Sequence, residues 1–438
     1  MTNKTPKVLS VCTSDSNGGA ARAAYRIHQS IKKLDTECKM LVKNKSSMDS
    51  DVIDLHNYVP KNLIYKAFDW IRNKIKNKYQ HYQWRCYPNR EDVFMSDLRG
   101  TDINGVLRKL NYDILHLHWI NQRFIPLKKL PMDKPIVWTL HDSWPFCGVC
   151  HYFADCNRYE SECGDCPLLH SSKKKDLSYK VWKTKMQTYK QLDLHIVAPS
   201  QWLGLCAKHS SLFGQFPVSV IPNCIDTDVF YPQNNNKISP RWDAIEKIKA
   251  EKKIVLYGAM NALKDKRKGF KNLLAALQMI DKIGANNNIQ LVVFGSDKTG
   301  LNLNTKIPIE YVGYLTNTDE IVSLYSLSDV MVVPSLDENL SCAIMESLSC
   351  QTPVVAFNIG GNSDMIDHQI NGYLAKEHDD SDLARGILWC LANNEGNHLG
   401  IAGRKKVIEK FSPEVVGKQY LDLYTEAYEE FKSKKKHR

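Results

Sequence analysis

Apolar and polar positions along this chain follow two periods, one of two residues and one of three to four, and these separate strands from helices. Short apolar runs that close on small or polar residues predict strands at 7–12, 112–119, 135–140, 194–200 and 218–223. A second series follows at 253–258, 290–295, 309–313, 330–334 and 352–357. Apolar positions at helical spacing predict helices at 20–34, from 201 onward, and at 270–283, 319–328 and 413–431. Strand–helix alternation in both halves predicts an α/β protein with two doubly wound parallel sheets. A polar stretch from Cys224 to Asn236, with Pro232 and three consecutive asparagines, separates the halves. The domains are therefore read as 1–225 and 226–415, followed by a terminal helix and basic tail at 416–438.

Length and composition agree with this division. A chain of 438 residues exceeds what one hydrophobic core usually supports. With 43% hydrophobic and 24% charged residues it has the make-up of an ordinary soluble globular protein. No apolar run approaches the roughly 20 residues that span a bilayer, and no signal-peptide pattern opens the chain, so a cytoplasmic location is expected. In that setting thirteen cysteines are better read as thiols or metal ligands than as a disulfide framework.

The net charge of +11 is unevenly spread. One basic cluster runs from Lys61 to Lys78, and a second forms the tail from Lys432 to Arg438. Nucleic acid, an anionic membrane surface or an anionic substrate would each suit such charge. No recognisable RNA or DNA module accompanies the lysines, which disfavours nucleic acid. Residues 62–76 predict an amphipathic helix, with Leu63, Ile64, Phe68 and Ile71 on one face and lysines opposite. Packing on the core is the simpler explanation; docking on an anionic membrane face is the functional one.

The most informative stretch runs from Val332 to Glu346. An apolar run ends in Pro334-Ser335, a polar loop follows, and a helix then begins. Glu338 and Glu346 bracket this loop and helix start with seven residues between them. The helix start would turn free backbone N–H groups toward the same space, which suits an anion. A carboxylate repels phosphate, so the expected ligand is mixed: hydroxyls for the glutamates, phosphate for the amides. Upstream, Lys264, Lys266, Arg267 and Lys268 precede Gly269 and a helix, a natural polyphosphate grip. Gly18-Gly19 sit in a strand–loop–helix unit like a phosphate-binding turn, but without the full dinucleotide pattern; a close-packed turn would explain them equally simply. The strand at 112–119 ends in polar groups, and the next delivers His141-Asp142 to the same sheet edge, where ligands gather in open α/β sheets. A histidine at a strand end is often structural, but this position makes His141 an active-site candidate.

Cys147, Cys150, Cys156, Cys163 and Cys166 crowd an insertion at 147–166. Cys147/Cys150 and Cys163/Cys166 are Cys-x-x-Cys pairs with a spacing that holds tetrahedral zinc. Cys150, Cys156, Cys163 and Cys166 form an alternative set. Either would make a structural zinc clip; reduced free thiols are the other reading.

Taken together, Gly18-Gly19, His141, Ala198-Pro199-Ser200-Gln201-Trp202 and Ile221-Pro222-Asn223-Cys224-Ile225-Asp226 resemble the retaining nucleotide-sugar glycosyltransferases of family 4. Lys268-Gly269, the Glu338/Glu346 pair and Pro353-Val354-Val355-Ala356-Phe357 continue that resemblance, which covers nearly the whole chain. Gly18 to Arg26, and Trp144-Pro145-Phe146 through Cys150 and Cys156 to Cys163-Gly164-Asp165-Cys166-Pro167, are similar to a narrower subgroup of colanic-acid-type exopolysaccharide glycosyltransferases. The subgroup's loop matches Cys150, Cys156, Cys163 and Cys166 and leaves Cys147 spare.

The resemblance implies the GT-B fold, two Rossmann-like domains facing a central cleft. It implies a hexosyltransferase that moves a sugar from a nucleotide-sugar donor to a glycan or lipid-linked oligosaccharide in surface polysaccharide synthesis; the basic clusters add an anionic membrane surface as a candidate partner. Glu338 would contact hydroxyls of the donor sugar and Glu346 the ribose. Asn339 and Leu340 would offer backbone N–H groups, Lys268 would neutralise the diphosphate, and Gly18 and Gly19 would let the backbone approach it. His141 would orient the donor sugar. The family's usual arginine after the first strand of the second domain is replaced here by Ala259, which leaves Arg267 or Lys264 as substitutes. No Asp-x-Asp metal motif is evident, consistent with catalysis without a cofactor, in which basic residues and helix dipoles replace a divalent ion. A nucleotide-sugar epimerase on the same fold and a metal-clipped binding protein are the competing readings.

Overall fold

The computed structural model describes all residues except 1–4, 59–73, 75–77, 79–83, 92–94, 235–237, 260–262, 264, 287, 298–303 and 437–438. The chain forms two compact units, 1–221 together with 417–438, and 222–416. The terminal helix belongs to the first unit from Gly417 onward.

In the first unit β1 (Val8–Ser14), β2 (Cys38–Asn44), β3 (Val52–Asp54), β4 (Ile114–Leu117), β5 (Ile136–Thr139), β6 (Leu194–Ala198) and β7 (Val218–Val220) make one sheet in the order β3-β2-β1-β4-β5-β6-β7. Every neighbouring pair is parallel. Every residue of β1, β4, β5 and β6 is buried, as expected of strands covered on both faces. The strand order reverses between β1 and β4, which places the crevice for a ligand at the carboxyl ends of those two strands.

The second unit repeats the design. Strands β8 (Lys253–Gly258), β9 (Ile289–Phe294), β10 (Ile309–Gly313), β11 (Val330–Val333), β12 (Val354–Phe357) and β13 (Gly372–Ala375) pair in parallel as β10-β9-β8-β11-β12-β13. Here the reversal lies between β8 and β11. Separate apolar clusters cover its two faces, one around Leu256, Met331 and Ile344, the other around Val255, Leu273 and Val332.

All ten predicted strands are present. The structure adds β2, β3 and β13, none of which was expected. β3 and β13 are three and four residues long, too short for a period to show. The terminal helix, predicted to end at 431, runs from Pro413 to Lys436. Ion pairs hold its last turns: Lys432 with Glu429 at 3.2 Å, and Lys434 with Asp193 at 3.2 Å and Glu430 at 3.6 Å. Lysines in a last turn also complement the helix dipole. Among the described residues no helix is long and apolar enough to cross a membrane. The amphipathic helix predicted at 62–76 lies outside the described residues, Lys74 excepted.

Candidate active site

The second unit gathers its chemistry at the β8/β11 reversal. After β11 the chain runs through Pro334 and Glu338 into the helix Cys342–Ser349. Facing it, the tight turn Lys266–Lys268 leads through Gly269 into the helix Phe270–Lys282. Gly269 has φ +68°, and a Cβ there would lie 1.7 Å from the Pro334 carbonyl oxygen, so only glycine lets the basic turn sit against the glutamate loop. The Leu336 N–H donates to the Arg267 carbonyl at 2.7 Å, and the Tyr257 hydroxyl donates to the Lys268 carbonyl at 3.2 Å. Lys268 Nζ donates to Glu338 Oε2 at 2.8 Å. The Ser335 hydroxyl donates to the same carboxylate oxygen at 3.4 Å.

Glu346 lies on the helix that follows and is 7% exposed; the Tyr325 hydroxyl donates to its Oε2 at 3.3 Å. This helix starts after Ser341 without a side-chain cap. Asn339 and Leu340 are buried just before it, and the Asn339 carbonyl accepts the Gly361 N–H at 2.9 Å, which ties the loop to the segment after β12. Arg267, a candidate for the missing arginine, is bonded to Asp265 through Nη2 at 2.7 Å and Nε at 3.1 Å. Although burial opposes it, that guanidinium holds the Asp265 carboxyl below the usual range. Lys264 lies outside the described residues. Asp337 was not singled out in the sequence. Burial, reinforced by Glu338, pushes its carboxyl up to about 6 against the pull of Arg267 and Lys268.

In the first unit Gly18 has φ +96° and precedes the helix Gly19–Lys32. A Cβ at either glycine would meet nothing within 4 Å, so the pair is not a close-packed turn. The helix begins with no side-chain cap and no acidic residue in its first turn, which leaves its positive end open to an anion. The Ser14 hydroxyl shapes the loop by accepting the Ser16 and Asn17 N–H groups at 3.3 and 3.2 Å.

His141 emerges beyond β5 with its Nε2 3.0 Å from Nδ1 of His118, which emerges beyond β4. The two rings stack at 5.3 Å. Burial pulls the His141 imidazole down to about 4, with Asp142 opposing, so the ring is neutral at pH 7. Asp142 accepts hydrogen bonds from Trp119 Nε1 at 3.0 Å, His151 Nδ1 at 2.7 Å and the Trp144 N–H at 2.9 Å. It thereby anchors the cysteine-rich insertion to the sheet edge. The position of His118 at the same edge as His141 was the signal in the sequence for their pairing.

The insertion packs its cysteines around a buried lysine. None of its cysteines is in a disulfide. Among the described residues no group of three or more His, Cys, Asp or Glu side chains is arranged to hold a metal ion, Cys150, Cys156, Cys163 and Cys166 included. The Cys147 thiol is hydrogen-bonded to Cys150, and Cys163 Sγ accepts the Gly148 N–H at 3.1 Å. A buried ammonium stands beside them. Lys185 Nζ, fully buried, donates to the carbonyls of Trp144, of Cys147 at 2.9 Å and of Gly148 at 3.0 Å, and lies 3.6 Å from the Trp144 ring centroid. Burial pulls Lys185 down to about 7, with the neighbouring thiols opposing.

Comparison with known proteins places this geometry. Residues 17–229 match the Glycosyltransferase Family 4 model, and residues 239–406 match the model for Glycosyl transferases group 1. An uncharacterized glycosyltransferase of Methanocaldococcus jannaschii is 25% identical over 345 residues, covering 74% of this chain and 78% of its own. The putative colanic acid biosynthesis glycosyl transferase WcaC of Escherichia coli is 24% identical over 259 residues, covering 56% of this chain and 59% of its own. As with WcaC, the match spans under two thirds of the length of several other curated relatives. Among solved structures, the HepE protein of Anabaena, in complex with UDP and glucose, superposes with a TM-score of 0.61 at 14% identity over 95% of this chain and 99% of its own. Two doubly wound units of this kind define the GT-B class. The chain is a glycosyltransferase of that class, with a family 4 domain in its first half and a group 1 domain in its second.

Proposed function

We propose that this glycosyltransferase moves a hexosyl group from a nucleotide diphosphate sugar to a glycan or lipid-linked oligosaccharide, with retention of anomeric configuration, in surface polysaccharide synthesis. The observation that carries this reading is the contact between Lys268 and Glu338, which puts a cation for phosphate beside an acceptor for hydroxyls at the β8/β11 reversal. The HepE complexes with UDP and with UDP-glucose make uridine donors the first to test, and the likeness to WcaC favours a surface polysaccharide as the product.

In the proposed reaction the bond from the sugar's anomeric carbon to the diphosphate oxygen breaks. A bond from that carbon to the acceptor oxygen forms on the same face, and the departing phosphate takes the acceptor's proton. Glu338 accepts hydrogen bonds from the donor sugar's hydroxyls, and Glu346 from those of the ribose. Lys268 and the backbone N–H groups of Asn339 and Leu340 stabilise the charge that develops on the leaving diphosphate, so no divalent ion is required for it. Gly18 and Gly19 give backbone access to an anion. His141 hydrogen-bonds the sugar as a neutral imidazole. Arg267, paired with Asp265, and Lys264 are further cationic candidates for the diphosphate.

The test is a panel of UDP-, GDP- and ADP-sugars incubated with the protein and followed by mass spectrometry, with the product's anomeric configuration read by NMR. Turnover of one nucleotide class to an α-linked product from an α-linked donor is expected. Absence of both transfer and hydrolysis across the panel overturns the reading.

A further inference from the structure

Beneath His141 lies a chain of buried polar groups for which the proposed reaction has no use. The terminal helix Pro413–Lys436 lays two fully buried tyrosines, Tyr420 and Tyr424, against the first sheet. The Tyr424 hydroxyl is 2.7 Å from His116 Nδ1, His116 Nε2 is 2.8 Å from Thr139 Oγ1, and Thr139 Oγ1 is 2.9 Å from the Tyr420 hydroxyl. The rings of His116 and His118 lie 4.0 Å apart between centroids, and His118 Nδ1 meets His141 Nε2 at 3.0 Å.

The direction of these bonds follows from which groups have one partner. His116 Nδ1 is the partner shown for the buried Tyr424 hydroxyl. If that phenol accepted, its own proton would be buried without an acceptor, which costs about 1–3 kcal/mol. It therefore donates, which makes His116 Nδ1 an acceptor and puts the His116 proton on Nε2, aimed at Thr139. The same reasoning applies to His118, whose buried Nε2 has no protein partner among the described residues. A buried N–H without an acceptor is rarer and costlier than a bare acceptor. The His118 proton therefore sits on Nδ1 and is donated to His141 Nε2. Burial keeps the ring of His116 down to about 3 and that of His118 far below its ordinary range, so neither gains a second proton near neutrality.

We propose that His118 is a positioning residue that holds His141 in one tautomer, with Nε2 accepting and the proton on Nδ1, and that Tyr424 steadies the arrangement by fixing the His116 ring beneath it. The proposal rests on the role given to His141 above, since only a ring that touches the sugar needs its protons placed in advance. A single tautomer allows one pattern of hydrogen bonds to a hydroxyl, which orients the sugar without reorganisation during the reaction.

The test uses the full-length protein labelled with ¹⁵N-histidine, with the rings of His116, His118 and His141 assigned by single substitutions. In the wild type, ring ¹⁵N shifts should show His141 protonated at Nδ1 and bare at Nε2, and His116 the reverse. His118→Asn, whose amide N–H can stand in for Nδ1–H, should keep the His141 pattern. His118→Leu should turn it into a tautomer mixture, and Tyr424→Phe should do the same to His116. A wild-type His141 protonated at Nε2, or identical His141 signals in His118→Leu, overturns the proposal. Should His118→Leu fail to fold, the wild-type pattern alone decides. These measurements need no substrate, so a failed donor screen is a separate result. With a donor in hand, His118→Leu should lower kcat by up to about a hundredfold while the donor KM changes little. His118→Asn should recover most of that loss; equal losses in both variants count against the proposal.

Discussion

Lys268 Nζ and Glu338 Oε2 form a 2.8 Å ion pair with both side chains partly exposed. The group proposed to neutralise phosphate and the group proposed to accept sugar hydroxyls thus bind each other. A partly exposed pair of this kind contributes about 1 kcal/mol or less to stability. A donor that supplies both phosphate and hydroxyls can replace it at small cost.

Glu338→Ala should therefore cripple transfer and leave the fold intact. We expect turnover to fall by about two orders of magnitude or more, as for removal of a group that acts at the transition state. The unfolding free energy should change by less than about 1 kcal/mol. Steady-state kinetics beside a urea denaturation curve checks both, and unchanged turnover removes Glu338 from its role.

Gly269→Ala should behave in the opposite way. The added Cβ meets the Pro334 carbonyl at 1.7 Å in a backbone at φ +68°, so the turn that carries Lys268 cannot stay where it is. The loss of stability should exceed about 1 kcal/mol, the usual scale of a non-glycine residue forced into this region. Thermal melting reads it directly, and a variant as stable as the wild type would show that the turn can move away from Pro334.

Asp337 gives a pH dependence with a definite sign. Its carboxyl is raised from 3.8 to about 6 in the folded protein, so between those values the folded state holds a proton that the unfolded chain has released. Stability from this group is full below pH 4, falls as pH rises toward 6, and stays lost above it. Asp337→Asn should therefore stabilise the protein at pH 8, by about 1 kcal/mol after allowance for partial exposure, with no such gain at pH 4. Urea midpoints at the two pH values measure the difference; equal shifts at both would contradict it.

Lys185 should matter to the stability of the insertion whether or not the cysteines hold zinc. Lys185→Met leaves three backbone carbonyls without their buried ammonium, and we expect a loss of about 3 kcal/mol or more. Urea denaturation of the variant beside the wild type reads the loss, and an unchanged midpoint would remove Lys185 from this role. Metal analysis of the purified protein tests separately the structural zinc proposed for Cys150, Cys156, Cys163 and Cys166.

Much of the second unit's site was legible in the sequence because its parts are local. An apolar run, Pro334-Ser335 and a helix start announce the Glu338 loop, and a basic turn closing on Gly269 announces Lys268. The glycines at 18 and 19 were visible too, but not that the space beside them is open. What stayed hidden depends on distance along the chain. Thr139 meets Tyr420 across 281 positions and His116 meets Tyr424 across 308, and no local period records such contacts. The charge on Arg267 was visible, but its pairing with Asp265 was not. The cysteine spacing suggested a metal, and nothing in the pattern pointed to the lysine that the fold buries beside it.

The terminal helix also sets an order of events. Residues 417–438 complete a unit that begins at the other end of the chain. Until the ribosome has made them, the first sheet lacks Tyr420 and Tyr424, and the polar groups of His116 and Thr139 lack their cover. The second unit, contained in 222–416, is synthesised whole before that happens. Domains that form during synthesis generally do so from the N-terminal end. In this enzyme the half that starts first can finish only last.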